Sequence, residues 1–280
     1  MLHTTHSLQT HDGLTLHTES WLPDAVPKAL LLLVHGYGEH LGRYRHVAAY
    51  FVGKGYAVFA IDHRGHGQSE GLRAYVERFD QFITDLHRYV QQVKGAHAGL
   101  PLFMLGHSMG ALISLAYTAQ HQAELAGLIV SGAPVNADAN VSPLLVTVGN
   151  VLTNVIPKVP FLSFGSMDIL SRDPAVPAAF NADPLTWKQP MRIRLGTEIN
   201  TTAGRVRAAL PSFRLPLLIL HGADDKMVAP SGSQVAYELA GSADKTLKLY
   251  PRLRHEIMNE PEQGDVFADI EAWLAVRMGV

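Results

Sequence analysis

Apolar residues are spaced in two ways along the first half of the chain. His3 to Gln9 and Leu14 to Trp21 alternate apolar and polar positions on either side of Asp12-Gly13. That period of two around a turn predicts an antiparallel hairpin of edge strands with one solvated face. Ala29 to Val34 and Tyr56 to Ile61 are unbroken apolar runs, too short for helices and bounded by Pro27, Gly36 and Gly55. Such runs suit strands buried on both faces of a parallel sheet. Tyr44 to Lys54 has helical spacing and stops at Gly55, and Glu77 to Lys94 puts Phe79, Phe82, Ile83, Leu86, Tyr89, Val90 and Val93 on one side of a helix. Pro101 to Leu105, Ala111 to Gln120 and Gly127 to Ser131 then read strand, helix, strand. The repeat implies right-handed crossovers and an α/β fold with helices on both faces of the sheet.

From Pro134 to about Arg214 the alternation stops and Pro recurs. A stretch of that length is no ordinary loop, and it predicts a mostly helical insertion over the C-terminal edge of the sheet, where ligands bind in open α/β folds. The pattern resumes with a strand at Leu215 to His221, a helix at Ser231 to Ala240, a strand at Thr246 to Tyr250 and a closing helix at about Glu262 to Arg277. Residues 1–133 and 215–280 are therefore expected to form one core, with 134–214 as its cap.

Composition narrows the partners. A formal charge of -2 with no basic stripe argues against nucleic acid, and zero Cys removes disulfides, thiolate catalysis and zinc-thiolate sites. The polar start MLHTTHSLQTHDG lacks the apolar core of a signal peptide, and no apolar run reaches the length of a membrane span. A cytoplasmic location is the expectation.

Candidate chemistry centres on Gly106-His-Ser-Met-Gly110, a Gly-x-Ser-x-Gly between the strand-like and helix-like runs. In that setting it predicts a sharp strand-to-helix turn that lifts the Ser108 hydroxyl clear of the sheet and aims the Met109 amide at a developing oxyanion. A serine hydroxyl needs a base, and His255 and Asp225 follow later, in the order Ser, Asp, His of an α/β-hydrolase. Asp224 is the rival acid. The second oxyanion donor is expected from the loop after the Ala29 to Val34 strand, at the Tyr37 amide. Asp62, His63 and His66 could be drawn as metal ligands, but ordering a Gly-rich loop by hydrogen bonds fits them better; neither metal nor cofactor is called for.

Taken together, His35-Gly-Tyr-Gly-Glu-His40 with Gly42-Arg43-Tyr44, Asp62-His-Arg-Gly-His-Gly-Gln-Ser69, the Gly106 to Gly110 motif, Leu170-Ser-Arg-Asp-Pro174, Asn181-Ala-Asp-Pro-Leu185 and His221-Gly-Ala-Asp-Asp225 resemble monoacylglycerol lipases and related lysophospholipase-like serine hydrolases of the α/β-hydrolase superfamily, over nearly the whole chain. The resemblance implies a triad of Ser108, Asp225 and His255, an oxyanion hole of the Tyr37 and Met109 amides, and Glu39 and Arg43 near a glycerol head-group pocket. It implies cleavage of monoacylglycerol through an acyl-enzyme, without a cofactor. A broader carboxylesterase or lysophospholipase, or a non-catalytic binder of hydrophobic ligands, are the other readings. Two departures stand out: Phe180 occupies a head-group position where Tyr can occur, and Ala111 replaces a second Gly often seen after the elbow. Val141 to Phe164 has one Lys and no acid. It reads either as a lid packed on the core or as a peripheral membrane contact. Oligomeric state is left open.

Overall fold

The computed structural model describes residues 1–136, 143–163 and 165–278; Val141, Ser142 and Phe164 of the apolar cap stretch lie outside them. The hairpin strands are β1 (Leu2–Gln9) and β2 (Thr15–Leu22), antiparallel in register from Leu2 opposite Leu22 to Gln9 opposite Thr15. Next come β3 (Ala29–Val34), α1 (Arg45–Gly53), β4 (Tyr56–Ile61), α2 (Asp80–Ala96), β5 (Leu102–His107), α3 (Met109–His121) and β6 (Gly127–Ser131).

Between β6 and the next core strand stand α4 (Pro143–Leu152), β7 (Pro160–Leu162), α5 (Ala175–Ala182), β8 (Met191–Arg192) and α6 (Ile193–Ala209). The core then resumes with β9 (Leu217–Gly222), α7 (Ser231–Leu239), β10 (Lys245–Tyr250) and α8 (Gln263–Met278). The large sheet runs β1-β2-β4-β3-β5-β6-β9-β10, parallel from β4 to β10. Both hairpin strands were expected at an edge. Only β1 is there, because β2 also pairs antiparallel with β4.

The strict alternation of a strand divides each apolar run between two cores. Leu30, Leu32 and Val34 face a cluster shared with α2, α3 and α6, whereas Ala29, Leu31 and Leu33 face one shared with α1 and α8. All seven apolar residues expected on one side of α2 are buried in the first cluster. The cap is not wholly helical: β7 and β8 form a two-stranded antiparallel ribbon.

Candidate active site

The carboxyl ends of β5, β9 and β10 bring three distant side chains together. At the end of β5 the chain reverses into α3 through Ser108, whose φ of 54° is in the left-handed region rarely used by residues other than Gly. The reversal needs its flanking glycines. A Cβ on Gly106 would stand 2.5 Å from the Gly110 carbonyl oxygen, and one on Gly110 only 2.1 Å from that of Val34. The Ser108 hydroxyl lies 2.9 Å from His255 Nε2, and His255 Nδ1 lies 2.7 Å from Asp225 Oδ2. With Nδ1–H donating to the carboxylate, Nε2 is left to accept the serine proton. Of the rival acids, Asp225 is buried and Asp224 points to solvent.

Four hydrogen bonds fix Asp225. Its Oδ1 accepts from the Met227 and Val228 amides at 2.8 and 2.9 Å, and Oδ2 accepts from His221 Nε2 at 3.0 Å besides His255. His221 Nε2 also donates to the Val228 carbonyl at 3.1 Å, so its Nδ1 is the acceptor for the Ser233 hydroxyl at 2.6 Å. In the structure His221 is a brace for the acid.

Ser108 and His255 open onto a cavity of about 620 Å³. Tyr37, Met109, Glu39 and Phe180 line it too, and the cap supplies Leu170, Met191, Ile193 and Ile199 as apolar wall. Met109 is the first residue of α3, where a helix leaves its amide N–H without a carbonyl of its own. The loop carrying Tyr37 presses on Ser108: a Cβ on Gly36 would be 3.1 Å from Ser108 Cβ.

A family model described as serine aminopeptidase, S33 matches residues 25–262. The chain is 37% identical to the monoacylglycerol lipase of Mycolicibacterium smegmatis over 98% of its own length and 97% of the relative's. It is also 37% identical to the Homo sapiens monoglyceride lipase, over 95% and 88%. Among solved structures, a soluble variant of the Saccharomyces cerevisiae monoglyceride lipase in complex with a substrate analogue superposes with a TM-score of 0.87 at 25% identity, covering 99% of this chain and 95% of that one. The chain belongs to this family of α/β-hydrolases.

The hydrolase is a carboxylic ester hydrolase, and its site has the electrostatics such chemistry needs. Burial opposes the charge on Asp225, but the His255 and His221 imidazoles outweigh it and hold the carboxyl far below its usual range. Burial would likewise lower the pKa of His255; the Asp225 charge prevails and raises it. His107, inside the Gly-His-Ser-Met-Gly turn and ring to ring with His255 at 4.7 Å, is pushed down to about 3, chiefly by burial and then by His255. It stays neutral at ordinary pH.

Glu39 and Arg43 belong to a buried ion network that continues to Glu256, next to His255. Arg43 donates to Glu39 Oε2 at 2.7 Å and grips both Glu256 oxygens at 2.7 and 2.8 Å, while Glu39 Oε1 accepts from the Gly36 amide and the Tyr44 hydroxyl. Glu39 and Phe180 face the cavity. Arg43 does not line it: held by two carboxylates, it stands behind Glu39, with its guanidinium 5.2 Å from the centre of the Phe180 ring. It orients Glu39 from behind the cavity wall, near the pocket as the resemblance implies but without lining it. Glu256 was missed because its partner is 213 residues away along the chain.

The Asp62 loop is held by hydrogen bonds. Asp62 accepts from the Leu41 and Gln68 amides at 2.7 and 2.8 Å, and Ser69 donates to the Asp62 carbonyl at 2.6 Å. His63 and His66 pack against His35, and burial keeps all three well below the usual histidine pKa.

Proposed function

We propose that this hydrolase cleaves monoacylglycerol to glycerol and a free fatty acid, with Ser108 as nucleophile, His255 as general base and acid, and Asp225 orienting the imidazole. The observation that carries the reading is the unbroken hydrogen-bonded chain from Ser108 to Asp225 at the floor of a cavity walled by apolar cap residues with Glu39 at its polar side. Ser108 Oγ attacks the ester carbonyl carbon as its proton passes to His255 Nε2. The carbonyl oxygen becomes an anion facing the Tyr37 and Met109 amides, donors of a kind worth about 3 kcal/mol each in the transition state. Collapse breaks the bond to the glycerol oxygen, which takes the proton from His255. Water then repeats the sequence on the acyl-enzyme, the fatty acid leaves, and Ser108 recovers its proton.

The test is a comparison of kcat/KM for a long-chain monoacylglycerol, the matching diacylglycerol, a lysophospholipid and a short p-nitrophenyl ester. The monoacylglycerol is expected to lead among the lipids; if it is the poorest of the four, the substrate assignment fails. One residue favours a broader esterase. The Phe180 ring offers a glycerol hydroxyl no hydrogen bond, so esters of simpler alcohols are expected within about tenfold of the monoacylglycerol.

No helix among the described residues is long and apolar enough to cross a membrane. The cap nevertheless exposes Val151, Val155, Ile156, Val159 and Phe161 close together in sequence, with Val155 73% exposed. These residues support docking of the cap on a lipid surface, which would deliver substrate to the cavity without crossing water. Replacing Val155 and Val159 together by Asp is expected to slow hydrolysis of vesicle-borne monoacylglycerol about tenfold and to leave a water-soluble ester unaffected. Equal rates on vesicles would refute the docking.

A further inference from the structure

On the far side of α3 from its nucleophile end lies a cluster that ester hydrolysis does not use. His87 of α2, His121 at the last position of α3, and Glu124 just beyond it are each half-buried, and one ligating atom from each lies within 4.8 Å of the others. His87 Nδ1 is 3.5 Å from one Glu124 carboxylate oxygen and His121 Nδ1 is 4.0 Å from the other. A tetrahedral zinc site with donors at about 2.1 Å separates them by about 3.4 Å, so closing on an ion requires each donor to move by less than about 1 Å.

Several features set this cluster apart from a casual surface pairing. His87 Nδ1 is shielded from solvent and has no hydrogen-bond partner among the described residues. The two imidazoles stack with centroids 4.2 Å apart and planes 14° from parallel, which presents both Nδ1 edges to the same carboxylate. That carboxylate is oriented from below by the hydroxyl of Tyr117, whose side chain is fully buried, as an outer-shell donor orients a metal ligand.

We propose that His87, His121 and Glu124 form a binding site for a divalent transition-metal ion of the zinc class, with water in the fourth position. Two imidazoles and one carboxylate suit zinc rather than magnesium or calcium, which prefer all-oxygen shells. The ion would join α2 to the end of α3, the helix that starts beside Ser108. It would act as a clamp between the two helices and take no part in the reaction.

The full chain, carrying no histidine tag and freed of metal by a chelator, is titrated with zinc chloride by calorimetry and in competition with a chromophoric zinc indicator. One site in roughly the micromolar range is expected, with a melting temperature that rises with zinc concentration. His87→Ala and His121→Gln are each expected to weaken that site at least about tenfold and remove the thermal shift. Because the chain has 15 His, the paired replacement of His3 and His17 by Ala serves as the control and is expected to retain the site. Hydrolysis of a soluble ester in chelator is expected to be unchanged in His87→Ala and His121→Gln, showing that they fold. The proposal is overturned if the native chain binds zinc no better than millimolar, or if the two cluster variants match it in stoichiometry and affinity.

Discussion

Ser108→Ala is expected to lower turnover by about 10⁶-fold and to abolish covalent labelling by a fluorophosphonate, while leaving the melting temperature within a few degrees of the native value. The size follows from the way the site is wired. In the first step His255 Nε2 deprotonates the serine hydroxyl, so without Oγ no acyl-enzyme forms and catalysis falls back on binding and the oxyanion donors. The fold is expected to tolerate the change because Ala at a φ of 54° carries much the same strain as Ser, and Ser108 is unusual in backbone rather than in packing. Labelling separates the two classes of function. A native chain that binds long-chain esters yet never forms the adduct would be a passive receptor for hydrophobic ligands, and the hydrolytic reading would fall.

The cap does more than wall the cavity, because it is tied to both loops that carry the chemistry. The Glu256 amide, next to His255, donates to the Leu170 carbonyl at 2.8 Å, and Ser171 donates to the Asn259 carbonyl at 3.0 Å. On the other side the Trp187 amide donates to the Gly38 carbonyl at 2.8 Å, beside Tyr37, and His40 pairs with Asp183 at 2.9 Å. These ties fall in the Leu170 to Pro174 and Asn181 to Leu185 stretches, or just beyond them. These motifs inside the insertion therefore have a physical role: they fix the cap to the loop that carries His255 and to the loop that carries Tyr37.

What could be read in the chain depended on how local the cause was. The strands β3, β4 and β6 were legible as unbroken apolar runs because both faces of each are buried, and the face of α2 was legible because one periodicity sets all of its packing. The elbow was legible because close backbone approach leaves only Gly at 106 and 110. Other features had distant causes. Helix α2 starts at Asp80 instead of Glu77 because the Gln81 side chain accepts from the Glu77 and Arg78 amides, and Glu198 of α6 accepts from the Phe79 amide. The β7–β8 ribbon is too short to leave a period of two. The setting of Arg43 depends on Glu39 and Glu256 together, and a carboxylate so far along the chain leaves no pattern around Arg43 itself. His221 is the intermediate case: it is four residues from Asp225, but only the turn at Met227 and Val228 makes the two face each other.

Asp225→Asn is expected to cut kcat/KM by about 10⁴-fold, whereas Asp224→Asn is expected to keep the rate within a few-fold of native. The asymmetry rests on burial and on tautomer. Asp224 is exposed and contributes its amide to the Leu253 carbonyl, a bond that Asn keeps. At 225, Asn can turn its NH₂ toward His255 Nδ1, which moves the imidazole proton to Nε2 and leaves no acceptor for the serine hydroxyl. The same change bears on pH. Catalysis needs neutral His255, so the rate falls as pH drops through its pKa, and the Asp225 charge raises that pKa above the ordinary histidine value. Removing the charge lets burial dominate, and the acid limb of the residual kcat/KM profile is expected to move to lower pH. A limb that stays in place would mean that another group sets it. A large loss in Asp224→Asn with little in Asp225→Asn would reassign the acid.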